Sequence, residues 1–323
     1  MASTRSSNLR RSSPRRKAAT AAATAAAAAI VTPQQSVGFV PSPITSLYFD
    51  AKKSPSSSSS RLFSETAAKA DVTPAKKPKI ERTHSFQPVW HGSLAESSGG
   101  SAEDMTPVTP VHTLVLGTHP SIASLSYSEY FGHSQNAFWW MAGDCLGFRR
   151  QLGVNAQGKP YKLTQYLRYD ESRVLSYADQ LQLFTSKGFA LWDIIKSCER
   201  EGSLDQDIKK EKPNEIREFC QAHKSVRRIV IANGGTGCTM FNRHFKDWWL
   251  SGELKPGSNA ESKKAFDKYA KKTDNFQDAT IEVISALPVS PAAATYTYEE
   301  KREFWENYVY NSGLRDYEEQ KSE

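Results

Sequence analysis

The sequence lacks paired cysteines and runs of apolar residues long enough to cross a membrane. Its cysteines, Cys145, Cys198, Cys220 and Cys238, form no CxxC pair and no short Cys/His ligand spacing. This excludes a zinc site and a disulfide framework, and it fits a reducing compartment. The longest apolar tract, near residue 20, consists of alanine interrupted by threonine. Alanine is too weakly apolar to span a bilayer, so neither a transmembrane helix nor a membrane partner is expected.

Several catalytic and cofactor motifs are also missing. The chain contains no GxSxG and no HExxH. Hydrolase triads and zinc proteases are therefore excluded. The turn Asn233-Gly234-Gly235-Thr236-Gly237 fits neither the Walker A nor the GxGxxG spacing, so no cofactor is expected.

An excess of positive charge is present only in the N-terminal third. Residues 1–105 hold 14 of the 42 basic and seven of the 35 acidic residues, which leaves 28 of each sign beyond residue 105. The net charge of +7 therefore belongs to this segment. If the remainder binds nucleic acid, it must do so through a local patch.

Residues 1–105 are predicted to be a disordered tail, since they are rich in Ser, Ala, Pro and Thr and poor in apolar residues. Two targeting signals conflict within it. Lys76–Lys79 is a basic cluster of the nuclear-import type, which favours the nucleus. The segment before Asp50 is rich in Arg, Ser and Ala and has no acidic residue, as in a mitochondrial or plastid transit peptide.

Residues 106–323 alternate between apolar strand-like runs and amphipathic helical stretches. Strands are predicted at Val111–Gly117, Phe189–Ile195, Arg227–Ala232 and Ala279–Leu287. Helices are predicted at Ala137–Phe148, with Asn136 as N-cap, and at Tyr177–Ser186, Asn214–His223, Thr239–Phe245 and Glu299–Tyr310. This order predicts an α/β fold, a three-layer α/β/α sandwich around a mostly parallel four-stranded sheet. Insertions are expected at about 149–173 and 246–277.

The loops after these strands should meet at one edge of the sheet, where open α/β folds bind ligands. Asp193 interrupts an apolar strand, and a carboxylate there is costly unless it is paired or used. A structural hydrogen bond to a neighbouring loop is the alternative. The Asn233–Gly237 turn has two interpretations, a phosphate cradle on backbone amides or a tight strand-to-helix connection.

Five blocks taken in order carry a family resemblance: GTHPS, YFGHSQNAFW, KGFALWDIIKSCEREGSLD, IANGG and LPVSPAAA. Together they resemble the uracil-DNA glycosylase superfamily, and most closely its hypoxanthine-DNA (deoxyinosine) glycosylase branch. The resemblance runs from about Val111 to Trp305. It implies a DNA glycosylase that flips deaminated bases out of double-stranded DNA and acts as a monomer. No lysine stands at the motif positions, which favours a monofunctional enzyme without Schiff-base lyase chemistry.

The same resemblance implies the catalytic residues. His119 stands in the first motif where many relatives carry Asn. In the hypoxanthine branch the Asn of the second block takes the catalytic role, and here that residue is Asn136. Asn136 is expected to position the attacking water with help from His119 or His133. Ser134 replaces a usual Pro. For each of these residues a purely structural role, as helix cap or loop hydrogen-bonder, remains open.

Base recognition and DNA binding are assigned in the same way. An ionised Asp193 is expected to accept the N1–H of hypoxanthine and to repel the N1 lone pair of adenine. Phe131, Phe138 and Trp192 are candidates for stacking on the flipped base. Candidates for DNA contact are Ser121, Ser197, Arg200, Ser203, Asn233, Gly234, Pro288, Ser290 and Pro291. The last loop, Pro288 to Ala294, resembles the element that fills the hole left by the base, although it is one residue shorter than the usual form.

Two other functions fit the same residues. A non-catalytic reader of DNA damage would explain His119 in place of Asn. A soluble nucleoside hydrolase would not need the loop from Pro288 to Ala294.

Overall fold

The computed structural model describes residues 82–97, 108–151, 153–155, 157–168, 173–270 and 279–322. Both predicted targeting segments, and most of the predicted tail, lie outside these residues. Within them, no helix is long and apolar enough to cross a membrane.

The described residues form two sheets. Their strands are β1 (Arg82–His84), β2 (Thr113–Gly117), β3 (Phe189–Asp193), β4 (Ile195–Glu199), β5 (Lys209–Pro213), β6 (Arg228–Ile231), β7 (Leu254–Pro256) and β8 (Ile281–Ser285). The larger sheet has five parallel strands in the order β3-β2-β6-β8-β7. The smaller sheet is antiparallel, in the order β1-β4-β5.

Helices cover both faces of the larger sheet. They are α1 (His91–Ser97), α2 (Ile122–Tyr127), α3 (Ala137–Leu146), α4 (Tyr177–Thr185), α5 (Ile216–Ala222), α6 (Gly234–His244), α7 (Lys246–Leu250), α8 (Ala260–Ala270), α9 (Tyr298–Trp305) and α10 (Asn311–Ser322). Short 3-10 segments occur at Lys162–Tyr166 and Asp205–Asp207, and a π-helical turn at Glu306–Tyr310 joins α9 to α10.

Alternate residues of each central strand enter different cores, which explains why these strands are apolar throughout. In β2, Leu114 and Leu116 pack with residues of α5 to α8, and Val115 packs with residues of α3, α4 and α9. Trp139 and Trp140 of α3 are fully buried in the second core. The predicted α/β/α sandwich is confirmed, with five strands where four were expected.

The additional strand comes from a segment predicted to be an insertion. Residues 246–277 supply β7 and α8, and Trp248 and Trp249 of this segment are almost completely buried. The segment contributes to the core of the domain, and its status as an insertion stays a prediction.

The predicted domain boundary near residue 105 falls too late in the chain. Strand β1 pairs with β4, and the adjoining Val89 bridges to Leu191 of β3. Phe86, Val89 and Trp90 pack against the two cores. We refer to residues 82–97 as the N-terminal arm.

The arm should therefore be needed for stability. A chain beginning at residue 106 is expected to be less stable than one beginning at residue 80 by about 3 kcal/mol or more, because it loses an edge strand and three partly buried apolar side chains. Thermal denaturation followed by circular dichroism measures the difference. Equal melting temperatures would show that the arm only rests on the domain.

Candidate active site

A cavity of about 630 Å³ opens at the carboxyl ends of the parallel strands. This size lies within the range of small-molecule sites. It is lined by the residues that follow β2, β6 and β8, by Asp193 at the end of β3, by the loops before α3 and after β4, and by Phe86 of the N-terminal arm. The predicted convergence of the strand-end loops is thus observed.

The carboxyl of Asp193 lies buried in this cavity. Its side chain is 3% exposed, and its Oδ2 has no hydrogen-bond partner among the described residues. Burial is the main cause that raises the pKa of this carboxyl from 3.8 to about 8; nearby Asp205 raises it further, and Arg200 opposes the rise. The carboxyl is therefore mostly protonated at neutral pH, and the ionised form assumed from the sequence is wrong there.

Gly117 makes room for this carboxyl. The two residues are partners across β2 and β3, and a Cβ on Gly117 would overlap Oδ1 of Asp193. The glycine of the first motif thus lets the Asp193 side chain lie across the neighbouring strand and face the cavity.

Asn136 lines the same cavity and caps α3. Its Oδ1 accepts a hydrogen bond from the backbone N–H of Phe138 at 3.0 Å, which confirms the predicted N-cap. A carbonyl oxygen has two lone pairs, so Oδ1 keeps acceptor capacity for a water. Nδ2 makes no hydrogen bond within the described part of the chain. The capping role therefore leaves most of the amide available to the cavity.

Hydrogen bonds hold the backbone both before and after Asn136. Arg150 donates from Nη1 to the carbonyls of Phe131 and His133, both at 3.1 Å. The N–H of Ala137 donates to Val289 of the last loop at 2.9 Å. These bonds attach the loop before α3 to Arg150 and to the last loop, so the Asn136 side chain is positioned before any ligand arrives.

His119 lines the cavity but both of its ring nitrogens are occupied. Nδ1–H donates to the carbonyl of Ile195 at 3.0 Å, so Nε2 of the neutral ring accepts from the Thr83 hydroxyl at 2.9 Å. Burial lowers its pKa to about 4. With neither nitrogen free for a water, the geometry assigns His119 to holding the N-terminal arm, which corrects its predicted catalytic role.

His133 does not line the cavity. It lies in the loop that Arg150 holds, and its Nδ1 accepts the N–H of Gln135 at 3.2 Å. The predicted assistance from His133 therefore has no geometric support.

The aromatic residues divide into one at the cavity surface and two beneath it. Phe131 lines the cavity and packs on Phe138 with ring centroids 4.3 Å apart. Phe138 is 0% exposed and cannot stack on a base. Trp192 is 6% exposed, donates from Nε1 to the carbonyl of Phe86 and does not line the cavity. The stacking roles predicted for Phe138 and Trp192 are therefore wrong.

Phe86 is a cavity residue that the sequence did not reveal. The arm places it beside Tyr130, with ring centroids 5.2 Å apart in an edge-to-face arrangement. A signal was present, because Phe86, Val89 and Trp90 form an apolar cluster at the end of an otherwise polar segment.

The predicted DNA-contacting residues are only partly at the cavity. Those that line it are Ser121, Ser203, Asn233, Pro288 and Ser290. Pro291 is exposed on the last loop, and Gly234 is buried beside Asn233 with a φ of 55°. Ser197 and Arg200 are buried, at 3% and 8% exposure, and are not available for DNA contact without rearrangement.

A polar network below the rim joins three loops. Asn233 donates from Nδ2 to the Thr118 hydroxyl at 2.8 Å and to Oδ2 of Asp205 at 3.1 Å. Arg200 donates to the carbonyl of Pro120 and lies 3.8 Å from Oδ1 of Asp205. Asn233 thus connects the loop after β2 to the loop after β4. It provides no side-chain cap for α6.

Among the residues that the structure describes, no group of three or more His, Cys, Asp or Glu side chains could hold a metal ion. No lysine occurs among the described residues that line the cavity. What the site offers instead is a protonated carboxyl, an amide and aromatic rings, which suit binding of a flat polar ring and positioning of a water.

Comparison with known proteins gives a limited but specific similarity. No protein-family model matches the chain. Hypoxanthine DNA glycosylases of Methanosarcina barkeri and Methanosarcina acetivorans are 26% and 27% identical over 121 and 123 residues, which is 38% of this chain in each case. The chain spans 62% of the length of each of these curated relatives.

A solution NMR structure of a candidate uracil DNA glycosylase from Methanosarcina acetivorans is 17% identical, with a TM-score of 0.43 over 72% of this chain and 99% of that one. The resemblance to hypoxanthine-DNA glycosylases predicted from the five motif blocks is confirmed by the similarity to the two curated relatives.

Proposed function

We propose that this protein is a DNA-repair glycosylase that hydrolyses the N-glycosidic bond of deaminated bases, hypoxanthine foremost, and leaves an abasic site. The observation that carries the proposal is the buried Asp193 carboxyl, whose Oδ2 has no hydrogen-bond partner in the described structure and which shares a cavity with Asn136. A buried polar group without a partner costs stability, which is accepted where it serves a function. The names of the two similar proteins support the same substrate.

The base would be read by two hydrogen bonds. Hypoxanthine presents an N1–H donor beside an O6 acceptor. A protonated Asp193 carboxyl presents an O–H donor beside a carbonyl acceptor, so the two edges are complementary. Uracil and xanthine carry the same donor and acceptor arrangement, which makes them secondary substrates under this proposal.

The flipped base would lie against aromatic rings. Phe131 and Phe86 both line the cavity, and stacking on an aromatic side chain contributes about 1–3 kcal/mol per base. Phe131 is supported from below by Phe138, so its ring is fixed before the base enters.

The hydrolytic step would use a water held by Asn136. The water oxygen bonds to C1′ of the deoxyribose while the C1′–N bond breaks, and the bonding electrons leave with the base. The proton lost by the water is balanced by one gained by the departing base. The absence of lysine from the described cavity lining favours this route over a Schiff-base lyase reaction.

DNA would approach the edge of the sheet that carries the loops. The backbone at Gly235 and Thr236, in the first turn of α6, borders the cavity, and a helix N-terminus favours a phosphate there. Ser121, Ser203 and Ser290 add hydroxyl groups around the opening. These groups fix the position of the DNA backbone and carry no base specificity.

The test is a panel of duplexes containing deoxyinosine, deoxyuridine or deoxyxanthosine, each incubated with an excess of residues 80–323. Abasic sites, detected as alkali-labile breaks, are expected in all three duplexes, and fastest with deoxyinosine. Binding to these duplexes without any abasic product would instead favour a damage reader without catalytic activity. Strand breaks that form without alkali would contradict the monofunctional reaction.

A further inference from the structure

A large aliphatic side chain stands exposed at the rim of the cavity. Leu204, in the loop between β4 and β5, is 49% exposed and lines the cavity. No other large hydrophobic side chain among the described cavity-lining residues is as exposed. An exposed leucine alone carries little meaning. At the entrance of a proposed base pocket, however, it faces the DNA that would enter.

The loop that carries Leu204 is held firmly in place. The hydroxyl of Ser203 accepts the N–H of Ile122 at 3.0 Å, and the N–H of Asp207 donates to the carbonyl of Leu204 at 3.1 Å. The buried Arg200 ties the base of the loop to Pro120. Leu204 is therefore presented by an ordered loop, and little entropy would be lost when it meets a ligand.

A second aliphatic residue adjoins Leu204. Ile122, the first residue of α2, is 58% exposed and is the residue whose N–H bonds Ser203. This hydrogen bond brings the two turns that carry these exposed side chains together, although Ile122 itself does not line the cavity.

The last loop, which also borders the cavity, has no comparable side chain. The last loop, residues 288–294, borders the cavity with Pro288, Ser290, Ala292 and Ala293, and its Val289 is completely buried. By resemblance this loop was expected to fill the hole left by the base. Its exposed side chains are small, and no exposed Leu, Ile, Met or aromatic residue extends from it.

We propose that Leu204 is the apolar wedge that enters the base stack of the DNA duplex and occupies the place of the extruded nucleotide. The inference rests on the proposed function and adds to it the element that drives extrusion. Proteins that unstack DNA commonly insert Leu or Ile between bases, and this contact offsets the cost of unstacking. Single-stranded DNA has no stack to replace, so the wedge matters chiefly for duplexes.

The test compares Leu204→Ala with Leu250→Ala in the full chain. Leu250 undergoes the same chemical change at 47% exposure, and it lies at the end of α7 and is not a cavity-lining residue. The ratio of single-turnover excision rates, deoxyinosine in duplex over deoxyinosine in a single strand, is measured for each variant. The ratio is expected to fall by about tenfold or more in Leu204→Ala and to stay unchanged in Leu250→Ala.

A second measurement tests the wedge without requiring base excision. A 2-aminopurine next to deoxyinosine in the duplex becomes more fluorescent when it loses its stacking partner. Wild-type protein and Leu250→Ala are expected to produce this rise on binding, and Leu204→Ala is not. An equal rise with Leu204→Ala, or none with wild-type protein, would overturn the wedge. A rise without any base release would overturn the proposed function and leave the wedge standing.

Discussion

Replacing Asp193 with leucine is expected to reduce the single-turnover excision of hypoxanthine by about 100-fold or more, because the base then loses both hydrogen bonds to its N1–H and O6 edge. Replacing it with asparagine should preserve most of the rate at neutral pH. An amide presents the same donor and acceptor as a protonated carboxyl in nearly the same shape. The measurement is base release from a deoxyinosine duplex by Asp193→Leu and Asp193→Asn side by side.

The pH dependence separates the protonated from the ionised carboxyl. Because the pKa of Asp193 is raised to about 8, the wild-type rate is expected to fall as the pH passes through that value, whereas the rate of Asp193→Asn should not. A neutral carboxyl can also pair with adenine, so discrimination against adenine should be weaker below pH 8 than above it. An equally steep fall in Asp193→Asn would assign the titration to another group.

The free energy of unfolding should decrease with rising pH as the Asp193 carboxyl ionises. The folded-state pKa of Asp193 lies above its ordinary value of 3.8, so the unfolded chain binds fewer protons between pH 4 and pH 8. The contribution of this group to folding is therefore present below about pH 4 and is lost as the pH rises to about 8. The melting temperature of Asp193→Asn should thus exceed that of the wild type more at pH 8 than at pH 5.

Replacing Asn136 with serine is expected to slow excision strongly while preserving helix α3. Serine caps helices about as well as asparagine, so α3 should keep its stability, whereas alanine should cost about 1 kcal/mol. Both variants lose the amide that would hold the water, and both are expected to slow single-turnover excision by about 100-fold or more. The melting temperature and the single-turnover excision rate are measured for Asn136→Ser and Asn136→Ala.

These two variants distinguish the roles that the sequence left open. If Asn136→Ser keeps the wild-type rate and Asn136→Ala loses it, Asn136 acts through capping alone. DNA binding, measured by fluorescence anisotropy on a deoxyinosine duplex, should remain in both variants.

The sequence predicts four of the five strands of the larger sheet, because β2, β3, β6 and β8 are mostly buried on both faces and therefore apolar. The edge strand β7, with sequence LKP and an exposed Lys255, is not predicted. The apolar runs that become β2, β3, β6 and β8 were all recognised, with ends shifted by a few residues. Strands β4 and β5, with sequences IKSCE and KKEKP, were missed because their polar residues give no strand signal. They form only when paired in the antiparallel sheet, with each other and with β1, which is distant in the chain.

The candidate site was only partly predictable for the same reason. Asn136 and Asp193 were identified from motif order, and both line the cavity. The protonation of Asp193 depends on its burial and on Asp205, which the loop after β4 brings near, and neither can be read from local sequence. The partners of His119 are likewise set by tertiary structure, since Thr83 comes from the N-terminal arm.

The most direct test of the central claim is the identity of the product. Residues 80–323 in stoichiometric excess over a deoxyinosine duplex are analysed for free hypoxanthine by mass spectrometry. Wild-type protein is predicted to release hypoxanthine in an amount equal to the abasic sites formed, and Asn136→Ser to release it about 100-fold more slowly. Intact deoxyinosine after prolonged incubation with wild-type protein that binds the duplex would contradict the assignment of this cavity to base excision.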